Sequence, residues 1–184
     1  LRIVVAITGA TGAIYGITVL EALKALGIES HLILSHWSAK TIELETSYTT
    51  AAVTALASVS HSPDNLAAGP ASGSFPHQGM IVAPCSMKTL AAIAHGYADN
   101  LIARAADVSI KERRPLVLMT RETPLSAIHL ENMLKLSRLG VIVMPPIPSF
   151  YQQPDSIRQI VEQTAGRALE LLGVENQLFR RWRS

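Results

Sequence analysis

The sequence predicts a single domain of the α/β class, a three-layer, doubly wound parallel sheet with helices on both faces. Three observations predict it. β-Branched apolar runs alternate with segments of helical periodicity along the whole chain, glycines follow the helical segments, and the first apolar run breaks into a glycine turn that opens a helix. At 184 residues, 48% of them hydrophobic, the chain suffices for one well-packed core and is short for two.

Arg2 to Ile7 is a β-branched run stopped by Thr8-Gly9, the mark of a buried strand, and Ile14 to Leu26 follows at helical spacing until Gly27 closes it. His31 to Ser35 reads as a second strand and Ser38 to Glu45 as the start of the next helix. Strand, helix and strand in this order form a βαβ unit, right-handed and parallel. Ala51 to Gln78 passes from an alanine-rich helix into the turn-forming HSPDNLAAGPASGSFPHQG, the least regular part of the chain, and reads as a long functional loop. Met80 to Pro84 is a third strand, Ser86 to Tyr97 a helix, Leu116 to Met119 a fourth strand and Ser126 to Leu139 an amphipathic helix ended by Gly140. Val141 to Met144 is a fifth strand, and Ser156 to Leu172 a last helix stopped by Gly173. The alternation implies a Rossmann/flavodoxin-like sheet whose ligand lies at the carboxyl ends of the strands.

Composition narrows the function. The net charge is +2, and the basic runs Lys111-Glu112-Arg113-Arg114 and Arg180-Arg181-Trp182-Arg183 are too short and isolated for a nucleic-acid stripe. No apolar stretch reaches the roughly 20 residues that span a bilayer, so no membrane partner is expected. A mean hydropathy of +0.27 with only 16% charged residues leaves little polar material to cover a monomer, which predicts a homo-oligomer. The single cysteine, Cys85, excludes an internal disulfide and a cysteine-based zinc set. It fits a reducing compartment and, with no basic leader at the start, the expected location is cytoplasmic.

Candidate chemistry gathers at the strand ends: Gly9 to Gly12 after the first, Ser35 after the second, Pro84-Cys85-Ser86 after the third and Thr120-Arg121-Glu122 after the fourth. A glycine turn opening a helix offers free N–H groups and the positive end of a dipole to a phosphate, and Ser86 with Thr89 repeats the arrangement. Each serine alone reads equally as a plain helix cap. The spacing Gly9, Gly12, Gly16 is too long for a dinucleotide fingerprint, and the second strand ends in Ser35 where a ribose-binding acid would stand. Neither a Tyr-x-x-x-Lys pair nor a Gly-Lys-Ser/Thr loop is present. A mononucleotide phosphate site lined by hydroxyls and backbone remains, as flavin mononucleotide (FMN) would use.

A second group is basic. Arg104 and Lys111 share a face of one helix, where Asp107 would make them an ordinary solvated stripe. Arg167 falls on the stripe of Ile160, Thr164 and Leu171, and either takes an anionic partner or snorkels at the stripe's edge. Glu45 and Glu122 read by default as surface acids, His61 and His129 as structural, and Cys85 lacks a basic neighbour to make it a thiolate.

The residues assembled resemble the flavin prenyltransferase family of the UbiX and Pad type. The resemblance covers essentially the whole chain through TGATGAIYG, LETSY, PASGS, PCSMKTLAAIAHGYADNLIARAADVSIKERRPLVL, RETPLSAIHLENMLKLSRLG, PPIPSFY and Arg181-Trp182. It implies reduced FMN as acceptor and dimethylallyl phosphate as donor, joined at N5 and C6 of the flavin without a metal, with prenylated FMN passing to a UbiD-type decarboxylase. It places FMN at Gly9, Ala10, Thr11, Ser35, Ser86, Met87, Lys88, Thr89 and Arg121, and the prenyl phosphate at Arg104, Lys111, Tyr151 and Arg167. Thr11, Glu45 and Glu122 fall at its catalytic positions. Thr11 stands where many members have serine. Sites shared between subunits of a dodecamer are implied too, with the tail from about residue 174 packing on a neighbour. Flavin-dependent cysteine decarboxylases share the fold and the Pro84-x-Ser86-x-x-Thr89 segment, but carry Pro-x-Met-Asn where this chain has Met-Pro-Pro-Ile-Pro. Decarboxylation, or carriage of FMN without catalysis, are the alternative readings.

Overall fold

A computed structural model describes residues 1–181. Six strands form one parallel sheet: β1 (Arg2–Ile7), β2 (Glu29–Leu34), β3 (Val59–His61), β4 (Gly79–Cys85), β5 (Leu116–Thr120) and β6 (Ile142–Val143). Their order is β3-β2-β1-β4-β5-β6, the Rossmann arrangement. The chain leaves β1 toward one edge and returns at β4 to build toward the other. The switch point therefore lies between β1 and β4, which pair in register from Ile3 opposite Gly79 to Ala6 opposite Val82.

Side chains alternate along each strand, so the central strands feed two cores. Ile3, Val5 and Ile7 pack with α1 (Ala13–Ala25) and α7 (Ile157–Leu171), and Ile42 of α2 (His36–Glu45) and Val53 of α3 (Thr50–Thr54) join that face. Val4 and Ala6 pack with α4 (Met87–Ala94), α5 (Leu101–Lys111) and Leu136 of α6 (Ala127–Arg138) on the other. Burial on both faces explains why the central strands read as unbroken apolar runs rather than as alternations.

The predicted sheet is present, with differences that have local causes. The expected loop Ala51 to Gln78 contains a sixth strand, β3, and a 3-10 turn at Gly69–Ala71. Three residues on a sheet edge carry no periodicity of their own, and β3 exists through its pairing with β2. The second helix begins at His36 rather than Ser38, because the Ser35 hydroxyl caps it by accepting from the Ser38 N–H at 3.1 Å. The helix after β4 stops at Ala94, short of Tyr97, with Gly96 at φ 66 behind it. His61, read as structural, bonds His31 at 2.8 Å. Described tail residues fold back on their own α7: Val174 is buried, and Asn176 Nδ2 donates to the Gly166 carbonyl at 3.0 Å. Trp182, which carried part of the resemblance, lies outside the described residues. Among those residues no helix is long and apolar enough to cross a membrane.

Candidate active site

At the switch point the ends of β1 and β4 are fastened by one side chain. Thr8 Oγ1 donates to the Pro84 carbonyl at 2.6 Å and accepts from the Ser86 N–H at 2.9 Å. The glycines after Thr8 answer three separate demands. A Cβ on Gly9 would stand 2.5 Å from Trp37 Cβ, and one on Gly16 2.3 Å from the Ala83 carbonyl, so both positions admit close approach of neighbouring elements. Gly12 holds φ 98 as the N-cap of α1, a conformation that strains other residues. This explains a spacing that matches no dinucleotide fingerprint.

Around this point lies a cleft of about 730 Å³. Gly9, Ser35, Ser86, Lys88 and Thr89 line it, joined by Trp37 and Asn100. Ser35 and Ser86 are both plain N-caps, the simpler of the two readings, and both face the cleft: Ser86 Oγ accepts from the Thr89 N–H at 3.3 Å and donates to Thr89 Oγ1 at 3.1 Å. Three helices, α2, α4 and α5, thus begin at its wall, the last capped by Asn100, which accepts from the Ala103 N–H at 3.1 Å. Their N-terminal dipoles favour an anion there. Asn100 was legible in principle as a polar residue before an apolar helix; Trp37, Pro63 and Tyr97 carried no such signal. Ala10, Thr11, Met87 and Arg121 are at the same strand-end edge but do not line the cleft.

Beside it, Glu45 reaches the glycine turn, where Oε2 accepts from the Gly12 N–H at 2.7 Å. Arg121 follows β5, its N–H donating to the Cys85 carbonyl at 3.1 Å, and its charge acts on Tyr15, whose hydroxyl burial drives above its ordinary range. Thr120 Oγ1, one residue earlier, is buried without a hydrogen-bond partner among the described residues. Glu122 is exposed and accepts from the Thr123 N–H at 3.0 Å. Cys85 is inert: full burial pushes its thiol up to about 12.

The basic residues do not join this cleft in one chain. Arg104 pairs with Asp107 at 2.6 Å and donates to the Ala71 carbonyl at 3.1 Å, and Lys111 pairs with Glu112 beside Gly73 of the PASGS loop. Lys111 ends α5, about 16 Å along the helix from the cap that lines the cleft. Arg167 is not buried on the apolar stripe of α7; that stripe is Val161, Thr164, Ala165, Ala168 and Leu169, and Arg167 stands at its edge, 55% exposed and 3.1 Å from Glu170. Glu170 also takes Arg181, and the two arginines outweigh burial to hold its carboxyl below the usual range. Tyr151 approaches the Arg180 carbonyl at 3.5 Å. Lys111 and Arg167 therefore project from helices on opposite faces of the sheet.

Comparison with known proteins places this geometry. The Flavoprotein family model matches residues 1–169. Flavin prenyltransferase PAD1, mitochondrial, of Saccharomyces cerevisiae is 55% identical over 181 residues, covering 98% of this chain and 75% of its own. A probable UbiX-like flavin prenyltransferase of Escherichia coli O157:H7 is 53% identical over 183 residues, covering 99% and 93%.

The chain belongs to the flavin prenyltransferase family.

Among solved structures, AnUbiX (PadA1), solved with FMN and dimethylallyl pyrophosphate, superposes with a TM-score of 0.98 at 53% identity, covering 100% of this chain and 97% of its own. A dodecameric FMN-dependent UbiX-like decarboxylase from Escherichia coli O157:H7 gives 0.97 at 52%, covering 100% of both. The FMN-dependent cysteine decarboxylase TvaF, at 18% identity and a TM-score of 0.64, shares the fold alone.

Proposed function

We propose that the protein is a flavin prenyltransferase that joins the dimethylallyl group of dimethylallyl phosphate to N5 and C6 of reduced FMN, supplying prenylated FMN to a UbiD-type decarboxylase. The observation that carries this reading is the switch-point cleft, ringed by capped helix starts, in a chain more than half identical to named flavin prenyltransferases. Its residues fit FMN. The volume of about 730 Å³ suits a mononucleotide, and the Ser35, Ser86 and Thr89 hydroxyls and Lys88 suit its phosphate. Gly9 in the cleft, with Ala10, Thr11, Met87 and Arg121 on the strand-end edge outside its lining, makes up the rest of the flavin side in this reading. When bound, reduced FMN supplies the nucleophilic atoms to which the five-carbon group is joined.

The chain's residues supply the rest. An allylic phosphate separates into a delocalised cation and a phosphate whose oxygens gain charge, so donors aimed at those oxygens lower the barrier. Lys111, Arg167 and the Tyr151 hydroxyl supply them, with Arg104 alongside, and these protein cations neutralise the leaving group without a metal ion. In this reading Glu45, at the glycine turn, and Glu122, beside Arg121, handle protons on the flavin side together with the Thr11 hydroxyl. Because Lys111 and Arg167 leave opposite faces of the sheet, a phosphate held by both lies between chains of a homo-oligomer, in keeping with the dodecameric relative. The cytoplasm suits the single free thiol.

Anaerobic incubation with reduced FMN and dimethylallyl phosphate, followed by mass spectrometry of the released flavin, tests the reading. A five-carbon increment is expected; FMN recovered unchanged would exclude prenyl transfer and leave decarboxylation or simple carriage.

A further inference from the structure

Trp37 is held against the glycine turn by its backbone and Cβ, while its ring is left unused. The strand end forgoes a side chain at Gly9 where α2 passes: a Cβ there would lie 2.5 Å from Trp37 Cβ and 3.4 Å from its carbonyl carbon. Thr41 Oγ1 then donates to the Trp37 carbonyl at 3.1 Å and to that of Gly9 at 3.4 Å, holding α2 against the glycine turn. Yet the indole itself is 74% exposed, and it stacks on no aromatic ring among the described residues. The core gains nothing from a side chain so placed, and a large apolar surface left in water is a cost that a bound ligand would relieve.

The surroundings say which ligand. Trp37 lies two residues beyond the Ser35 cap and lines the same cleft as Ser86 and Thr89. A mononucleotide whose phosphate sits at those hydroxyls shares one cavity with the indole. An indole offers a flat, rigid face that loses little entropy on binding, and stacked or edge contacts with another aromatic system add to what burial alone contributes.

We propose that Trp37 is a ligand-binding residue of the cleft, its indole forming the wall that one side of bound FMN lies against. This rests on the flavin reading above. The test is titration of the wild-type protein and of Trp37→Ala and Trp37→Phe with FMN, followed by flavin fluorescence, with oligomeric state recorded by size exclusion. Trp37→Ala is expected to weaken FMN binding about tenfold, with Trp37→Phe within about threefold of wild type, because a phenyl ring keeps a flat apolar face. An indole in contact also quenches flavin emission by electron donation, so flavin bound to Trp37→Phe should be several-fold brighter than in the wild type. Unchanged affinity in Trp37→Ala overturns the proposal, and if the assembly falls apart at the same time the indole is a subunit contact. Equal brightness of wild type and Trp37→Phe overturns it independently of the alanine variant. Wild-type protein that fails to bind FMN overturns the flavin reading with it, an outcome distinguished by the wild-type titration itself.

Discussion

The carboxylate of Glu45 lies thirty-three residues from Gly12 along the chain and 2.7 Å from its N–H in space. It gives an acceptor to the mouth of α1, where an anion also opposes the positive end of the helix. Glu45→Ala should lower stability by about 1 kcal/mol and abolish prenyl transfer with FMN still bound. Glu45→Gln, which keeps an acceptor oxygen, should recover the stability but not the transfer; melting curves and product analysis separate the two, and full activity in the glutamine variant would reduce Glu45 to a cap. Arg167 makes the opposite case. An exposed ion pair contributes about 0–1 kcal/mol, so Arg167→Ala should melt close to wild type while losing use of the phosphate donor. Neither role was legible in local sequence. Pattern placed Arg167 near an apolar stripe without saying which side of its edge, and no spacing rule joins Glu45 to a turn thirty-three residues away. Ser35 and Ser86 were legible, because a cap announces itself within one helical turn.

Elements follow the same division. β1, β4 and β5 are fully buried apolar runs, or nearly so, and their composition announces them. β3 is three residues long and exists through its pairing with β2, to which the bond between His31 Nδ1 and His61 Nε2 at 2.8 Å is added, with His31 Nε2 also 2.9 Å from Glu29. Arg2 first and His31 second hold the Glu29 carboxyl down to about 2. One proton fits between the two rings, and the cations Arg2 and Arg114 already face the nearby His77. Burial lowers His61 and His77 below their ordinary value, with charge from His31 adding to both. Unfolded, both histidines titrate near about 6.5, so the unfolded chain binds more protons as pH falls through that value. Their contribution to stability is full above this pH and declines below it, toward the lowered folded values. The melting temperature should therefore drop between pH 7.5 and pH 5.5, and His61→Asn should flatten the drop; an equally steep profile in the variant would remove the pair from the explanation. Because β3 leads into Pro63, which lines the cleft and accepts from the Leu101 N–H at 2.7 Å, the acid transition should also release bound FMN.

At the scale of the molecule, Ile147, Phe150 and Ile157 are 73%, 69% and 81% exposed in one chain, and Ile128 and Leu134 of α6 stand out in the same way. Such area calls for cover, as the composition suggested, and sedimentation should show a large assembly at micromolar protein, with little monomer. If Lys111 and Arg167 bring the charge that a metal would otherwise supply, as proposed, turnover should survive EDTA unchanged; rescue by magnesium after EDTA would contradict that. The central claim is that the phosphate site is built from two chains, one giving Lys111 and the other Arg167. Co-expression of Lys111→Ala with Arg167→Ala tests it most directly. Each variant alone should be inactive, while random mixed assemblies should regain about a quarter of wild-type activity, because some sites then pair an intact Lys111 with an intact Arg167. Mixed assemblies as inactive as either parent would contradict it and place both cations in a single chain's site.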